Sequence, residues 1–175
     1  MRVPLFFKNI LQLFISWFNK DRQMNNDDLL MTELRVDEGV RAIPYRDSEG
    51  IWTVGIGHNL EARPLPIDIT VAIIKRAGGL KPAEMERVLK LDVILSKEDL
   101  TSLYPSWINL SPVRQRVLVN CMFNMGMGVF RRFYKFWAAT KHGDMEEGAV
   151  QLDDSKWSRQ VGIRAKRLIK MWRNG

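Results

Sequence analysis

Apolar residues recur at helical spacing along most of this chain, with one clear interruption in its first third. Leu29, Leu30, Leu34 and Val36 supply the apolar contacts of a segment that Asn26 or Asp27 can cap, which predicts a helix over about residues 27–37, stopped by Gly39. The period then changes. After a turn over residues 45–49, residues 51–56 (IWTVGI) are aromatic and β-branched and read as a strand of a small antiparallel sheet. Gly50, Gly55 and Gly57 mark tight turns or close backbone approach around it. Pro64 and Pro66 punctuate a loop, and residues 68–76 predict a short helix ended by Gly78-Gly79. Pro82 suits a first helical position, with a helix from Ala83 to about Leu95. Ser111-Pro112 opens a strongly apolar helix to Met125, ended by Gly126 and Gly128, and residues 129–141, 145–152 and 163–172 predict three more. One small sheet among many helices is an α+β pattern.

Residues 1–23 differ from everything after them. The run LFFKNILQLFISWF, residues 5–18, is strongly apolar but carries Lys8, Asn9 and Gln12. It is short for a membrane span, which needs about 20 apolar residues, and lacks the small-residue cleavage site of a secretory signal. Phe6, Ile10, Phe14 and Trp17 share one helical face. Three readings stay open: an uncleaved export anchor, an interfacial amphipathic helix, or an extension packed on the following domain.

Composition narrows the class. The 175 residues are 46% hydrophobic and 27% charged, which suits one domain or two small lobes sharing a core. Cys121 is the single cysteine, so no internal disulfide is available, and its apolar context predicts a buried helix position. Net charge is +7, which favours an anionic partner: nucleic acid, acidic lipid or bacterial wall. Two histidines and one cysteine do not make a usual transition-metal site, and neither a Walker loop nor a GxGxxG fingerprint is present.

The candidate chemistry lies between Arg35 and Leu60. Glu38 closes the first helix, Asp47 follows nine residues later in an Asp-Ser-Glu-Gly turn, and Thr53 stands six further on in the strand. Two carboxylates on different elements, converging with a hydroxyl, suit a glycosidase: one acid protonates the leaving oxygen, and one carboxylate handles water or the developing positive charge. Asp37 is an adjacent acid, but neighbouring helix residues point about 100° apart, so only one of the pair can face a cleft. Asn120 and Asn124 are four apart on an apolar helix, hence on one face and in need of partners. Lys156 onward is basic and amphipathic, a candidate contact for acidic lipid or lipopolysaccharide.

The Glu38-Asp47-Thr53 spacing ahead of Gly55-Ile56-Gly57-His58, followed by FNMG at 123–126, Trp157 with Gln160, and RAKR at 164–167, resembles the phage-T4-type lysozymes (glycoside hydrolase family 24) over about residues 27–174. The resemblance implies a small N-terminal lobe with a β-sheet at about 39–80, an interlobe helix at about 82–95, and a helical lobe over about 96–175 plus helix 27–37, with the cleft between the lobes. It implies N-acetylmuramidase activity on the β-1,4 bonds of peptidoglycan, in the service of host lysis by a phage, with inversion at the anomeric carbon and no cofactor. The expected protein is a monomer with no nucleic-acid partner, made in the host cytoplasm and acting on the wall in the periplasm. Residue by residue, the acid before Gly39 makes Glu38 the proton donor and leaves Asp37 structural, perhaps paired to an arginine. Asp47 orients water and Thr53 helps hold it. Asn120, Asn124, Gln160 and Arg164 form the substrate-binding set, with Asn120 and Arg164 near Glu38. His58 pairs structurally with Asp92, and Glu49 with Lys156 across the cleft mouth.

Overall fold

A computed structural model describes residues 26–47, 49–66, 68–71 and 78–175. The N-terminal extension, residues 1–23, lies outside these, as does most of the short helix expected at 68–76. Helix α1 covers residues 26–38. Strands β1 (Arg41–Arg46), β2 (Trp52–Gly55) and β3 (His58–Asn59) follow in one antiparallel sheet, ordered β1-β2-β3. Tyr45 faces Thr53 and Val54 faces His58, with a bulge in β1 between Arg41 and Tyr45. Helix α2 (Pro82–Leu103) and a 3-10 turn (Pro105–Asn109) lead to α3 (Pro112–Phe130), α4 (Tyr134–His142), α5 (Met145–Asp153), α6 (Lys156–Val161) and α7 (Ile163–Asn174). The fold is α+β, with the small sheet beside a larger helical part.

Three boundaries differ from the sequence expectation. Helix α2 runs eight residues past Leu95, to Leu103. Leu100 is fully buried there, and the helix stops only at Tyr104, which precedes Pro105 and is pushed out of the helical region. In α3, Gly126 leaves helical geometry (φ 69, ψ 163), but the chain resumes helix and carries Gly128 through to Phe130. The expected helix at 129–141 is thereby displaced: Arg131 and Arg132 form a turn and α4 starts at Tyr134. Helix α6 was not foreseen; Ser155 caps it by accepting from the Ser158 N–H.

One core runs through these elements. It takes Leu30 and Leu34 from α1, Val54 and Ile56 from the sheet region, Leu89 and Val93 from α2, Leu118 and Met122 from α3, and Leu168 and Trp172 from α7. Its densest part is aromatic: Phe130 lies 4.7 Å from Trp137 and 5.6 Å from Phe136, and Phe136 lies 5.1 Å from Trp172. Both buried indoles find acceptors, Trp137 Nε1 donating to the Phe130 carbonyl and Trp172 Nε1 to that of Met145. The apolar face of α7 is thus consumed by packing. Among the described residues, no helix is long and apolar enough to cross a membrane.

Candidate active site

Glu38 is the last residue of α1, and Gly39, at φ 69, turns the chain directly into the sheet. This places the carboxyl at a junction between helix and strand, on the wall of a cleft of about 1030 Å³. Its Oε1 accepts from Arg164 Nη1 of α7 at 2.5 Å, an ion pair with side-chain exposures of 18% and 8%. Oε2 takes no hydrogen bond from the described residues. Asp37 turns the other way. Its side chain is 6% exposed, and Oδ2 is held by Arg167 Nη2 at 2.5 Å and Asn120 Nδ2 at 3.0 Å, with Arg164 Nε at 3.4 Å. Only Glu38 of the two lines the cleft.

Asp47 sits in the β1–β2 connection. Its Oδ1 accepts from the backbone N–H groups of Glu49 at 2.8 Å and Ile51 at 2.9 Å, while its own N–H donates to the Ile51 carbonyl at 3.0 Å. Charge-assisted bonds of this kind fix the carboxylate in one orientation. Its Oδ2 takes no partner among the described residues. Thr53 is 4% exposed, and its hydroxyl donates to the Ile51 carbonyl at 3.2 Å. Glu38, Asp47 and Thr53 all line the same cleft. Tyr45, beside them, has its phenol pushed above the ordinary value of 10.0, mainly by burial, with nearby Glu38 and Asp47 adding to the shift and Arg41 opposing it.

The helical wall divides the expected substrate-binding set. Asn124 and Gln160 line the cleft, and Asn124 Oδ1 accepts from Trp157 Nε1 at 2.7 Å. Asn120 does not line it. Asn120 is fully buried, its oxygen accepting from Arg164 Nε at 2.9 Å and its amide donating to Asp37, so it has no surface for a sugar. Arg164 likewise bonds Glu38 and Asn120 and pairs with Asp37, and its remaining Nη2 is buried without a partner among the described residues. Both lie behind the acid rather than in front of it. Glu49 and Lys156 both line the cleft, yet no ion pair joins them among the described residues. An exposed pair is worth about 0 to 1 kcal/mol, too little to hold two long side chains in one geometry.

His58 Nδ1 lies 2.8 Å from Asp92 Oδ2, with both side chains nearly inaccessible and neither on the cleft wall. Arg63 joins them unannounced. It donates to the Asp92 carbonyl at 2.8 Å and the Ser96 hydroxyl at 3.3 Å, and pairs with Asp92 and Asp99 at 3.6 Å and 3.4 Å. Asp92, Ser96 and Asp99 stand at i, i+4 and i+7 on α2, a polar stripe that offered a readable signal. Further cleft residues missed by the sequence reading include Asn59, Phe133, Tyr134 and Gln151. Tyr134 opens α4 and Gln151 lies on α5, and neither carries a motif. Among the described residues, no group of three or more His, Cys, Asp or Glu is placed to hold a metal ion.

The chain is similar in sequence to known proteins. Over 158 residues, 82% of the chain, it is 30% identical to the pre-baseplate central spike protein Gp5 of Enterobacteria phage T4, of which it covers 28%. It is 30% identical over 156 residues to probable T4-type lysozyme 2 of Dictyostelium discoideum, covering 81% of the chain and 92% of that protein. Probable T4-type lysozyme 1 of the same organism is 25% identical over 157 residues, again with 92% of its length covered. The chain thus spans little more than a quarter of the spike protein and nearly all of the two lysozymes. Residues 35–173 match the model of the family described as phage lysozyme, and the chain belongs to that family.

Proposed function

We propose that this protein is a peptidoglycan hydrolase that cleaves the β-1,4 bond between N-acetylmuramic acid and N-acetylglucosamine, as a phage endolysin in host lysis. One observation carries the mechanism. Glu38 and Asp47 face a common cleft, and each has one carboxyl oxygen tied down and the other unengaged. Glu38, fixed through Oε1 by Arg164, protonates the glycosidic oxygen from its open oxygen. Asp47, fixed through Oδ1 by two backbone N–H groups, uses Oδ2 to orient the attacking water and to stabilise positive charge on the sugar. Thr53 helps hold that water. Attack by water on the face opposite the leaving group inverts the anomeric carbon. Asn124 and Gln160 bind sugar from the helical wall; Asn120 and Arg164 position Glu38. His58 and Asp92 are structural.

The basic C-terminal segment supports a second, non-enzymatic activity poorly. Ala165, Leu168, Ile169 and Trp172 of α7 are buried in the core, so its apolar face is not available to a lipid surface while the protein is folded. The enzymatic reading is tested on purified peptidoglycan with wild type and Glu38→Gln side by side. An amide donates no acidic proton, so turnover falls about 100- to 10,000-fold with the fold retained. New reducing ends identify a hydrolase, and the first-formed anomer read by NMR identifies inversion. Anhydromuramyl ends would instead make the protein a transglycosylase, and unchanged activity of Glu38→Gln would remove Glu38 from the mechanism.

A further inference from the structure

We propose that Gly57 is a positioning residue for the catalytic acid: the missing side chain there lets the Glu38 carboxyl rest over the β2–β3 turn with Oε2 free. The role presupposes the hydrolase reading given above. Gly57 lines the cleft beside Glu38. A Cβ at this position would stand 2.8 Å from Glu38 Cγ, 2.9 Å from Cδ and 2.9 Å from Oε2. Side-chain carbons are not found so close to such atoms, so Glu38 and a residue 57 methyl cannot share this space. The other carboxyl oxygen is held by Arg164, which is buried and itself bonded to Asn120 and Asp37 and so is not free to follow. The acid is therefore located from two sides: Arg164 holds one oxygen, and the bare backbone of residue 57 sets where the other lies.

The obstruction falls on the Glu38 side chain, from Cγ to Oε2, rather than on backbone. A methyl at residue 57 can thus be accommodated by swinging the Glu38 carboxyl aside, which leaves the fold standing and misplaces the reacting oxygen. Backbone strain must be separated from this effect, because Gly57 has φ +66. The same turn supplies the control. Gly55 has φ +68, does not line the cleft, and a Cβ there would meet only Leu80 Cδ1 at 3.5 Å and Met85 Cγ at 3.7 Å, ordinary contact distances. Alanine at residue 55 carries the same strain and leaves Glu38 alone.

The test compares wild type, Gly55→Ala and Gly57→Ala by thermal unfolding and by steady-state hydrolysis of solubilised peptidoglycan fragments. Both variants should lose melting temperature, Gly57→Ala the more because it also disturbs the Glu38–Arg164 pair. Gly57→Ala alone should lose kcat, by about 100-fold for a displacement of about 1 Å, with KM little changed. Equal kcat in the two variants, or a fall expressed in KM alone, would overturn the positioning role. If Gly57→Ala melts too low to assay, the substitution is made in a Glu38→Ala background, where the obstruction is gone. Its melting loss there must shrink to that of Gly55→Ala, and an undiminished loss would place the role of Gly57 in folding instead. A wild type that unfolds normally yet is inactive on these fragments would overturn the hydrolase reading itself, and this role with it.

Discussion

Asp37 and Glu38 are neighbours of the same chemistry with opposite fates, decided by which way one helical step points them. Asp37 is buried against Arg164 and Arg167, and removing its charge weakens the bonds it accepts, although Arg164 keeps Glu38 and Arg167 keeps Glu33 as counter-ions. Asp37→Asn is therefore expected to lower stability by about 1 to 3 kcal/mol while retaining far more activity than Glu38→Gln, measured by denaturant melts beside the peptidoglycan assay. Cys121 makes a second residue-scale case. Burial pushes its thiol up to about 12, so at pH 8 almost none is thiolate, the reactive form. A thiol reagent should leave the native protein unmodified and label one site per chain in denaturant; rapid native labelling would contradict its buried setting. At this scale the shared cleft of the three residues was legible because their spacings are short and fixed: Glu38, Asp47 and Thr53 lie within sixteen residues of chain. Arg63 was half legible: its partners form a polar stripe on α2, but sequence does not show that a loop returns Arg63 to it. Nor was the burial of Asn120, since sequence shows that an amide needs partners but not whether sugar or protein supplies them.

Among elements, the order of most helices was readable, but α6 was missed and helix ends were not readable. Apolar periodicity located α2, but its length was decided by the burial of Leu100 and by Pro105, a stop signal in plain view beyond the expected end. Glycine misled in α3, where Gly128 sits inside a helix that Gly126 only interrupts. Where helices meet, surface pairs add a measurable pH dependence. Arg35 Nη2 of α1 and Glu86 Oε2 of α2 lie 2.6 Å apart, and Arg35 holds the Glu86 carboxyl below its ordinary 4.5. A folded-state value below the unfolded one means the pair stabilises above pH 4.5, and the contribution fades as pH falls through the lower folded value. Both side chains are about one-third exposed, so the effect is small, about 0 to 1 kcal/mol. Glu86→Gln should melt slightly below wild type at pH 6, with the gap closing as pH drops below 4.5. A gap that is constant or widens in acid would show that the carboxylate charge is not the cause.

At the scale of the whole molecule, every residue with a proposed catalytic or binding role lies at or beyond Glu38. We expect a chain of residues 24–175 to retain most wall hydrolysis while losing association with anionic vesicles, read by flotation. Unchanged flotation with a much lower melting temperature would instead make residues 1–23 a packing element. The lobed α+β plan was readable because motifs from both ends of the chain bracket one helix. The way in which those ends depend on each other was not. The acid at residue 38 is gripped by an arginine 126 positions downstream, on the helix Ile163–Asn174. A polypeptide emerging from a ribosome therefore carries Glu38, Asp47 and Thr53 long before it can use them. On the proposed mechanism, bond cleavage must wait for α7 to be synthesised, released and docked, which makes catalytic competence a late event of biosynthesis and leaves prematurely terminated chains chemically idle.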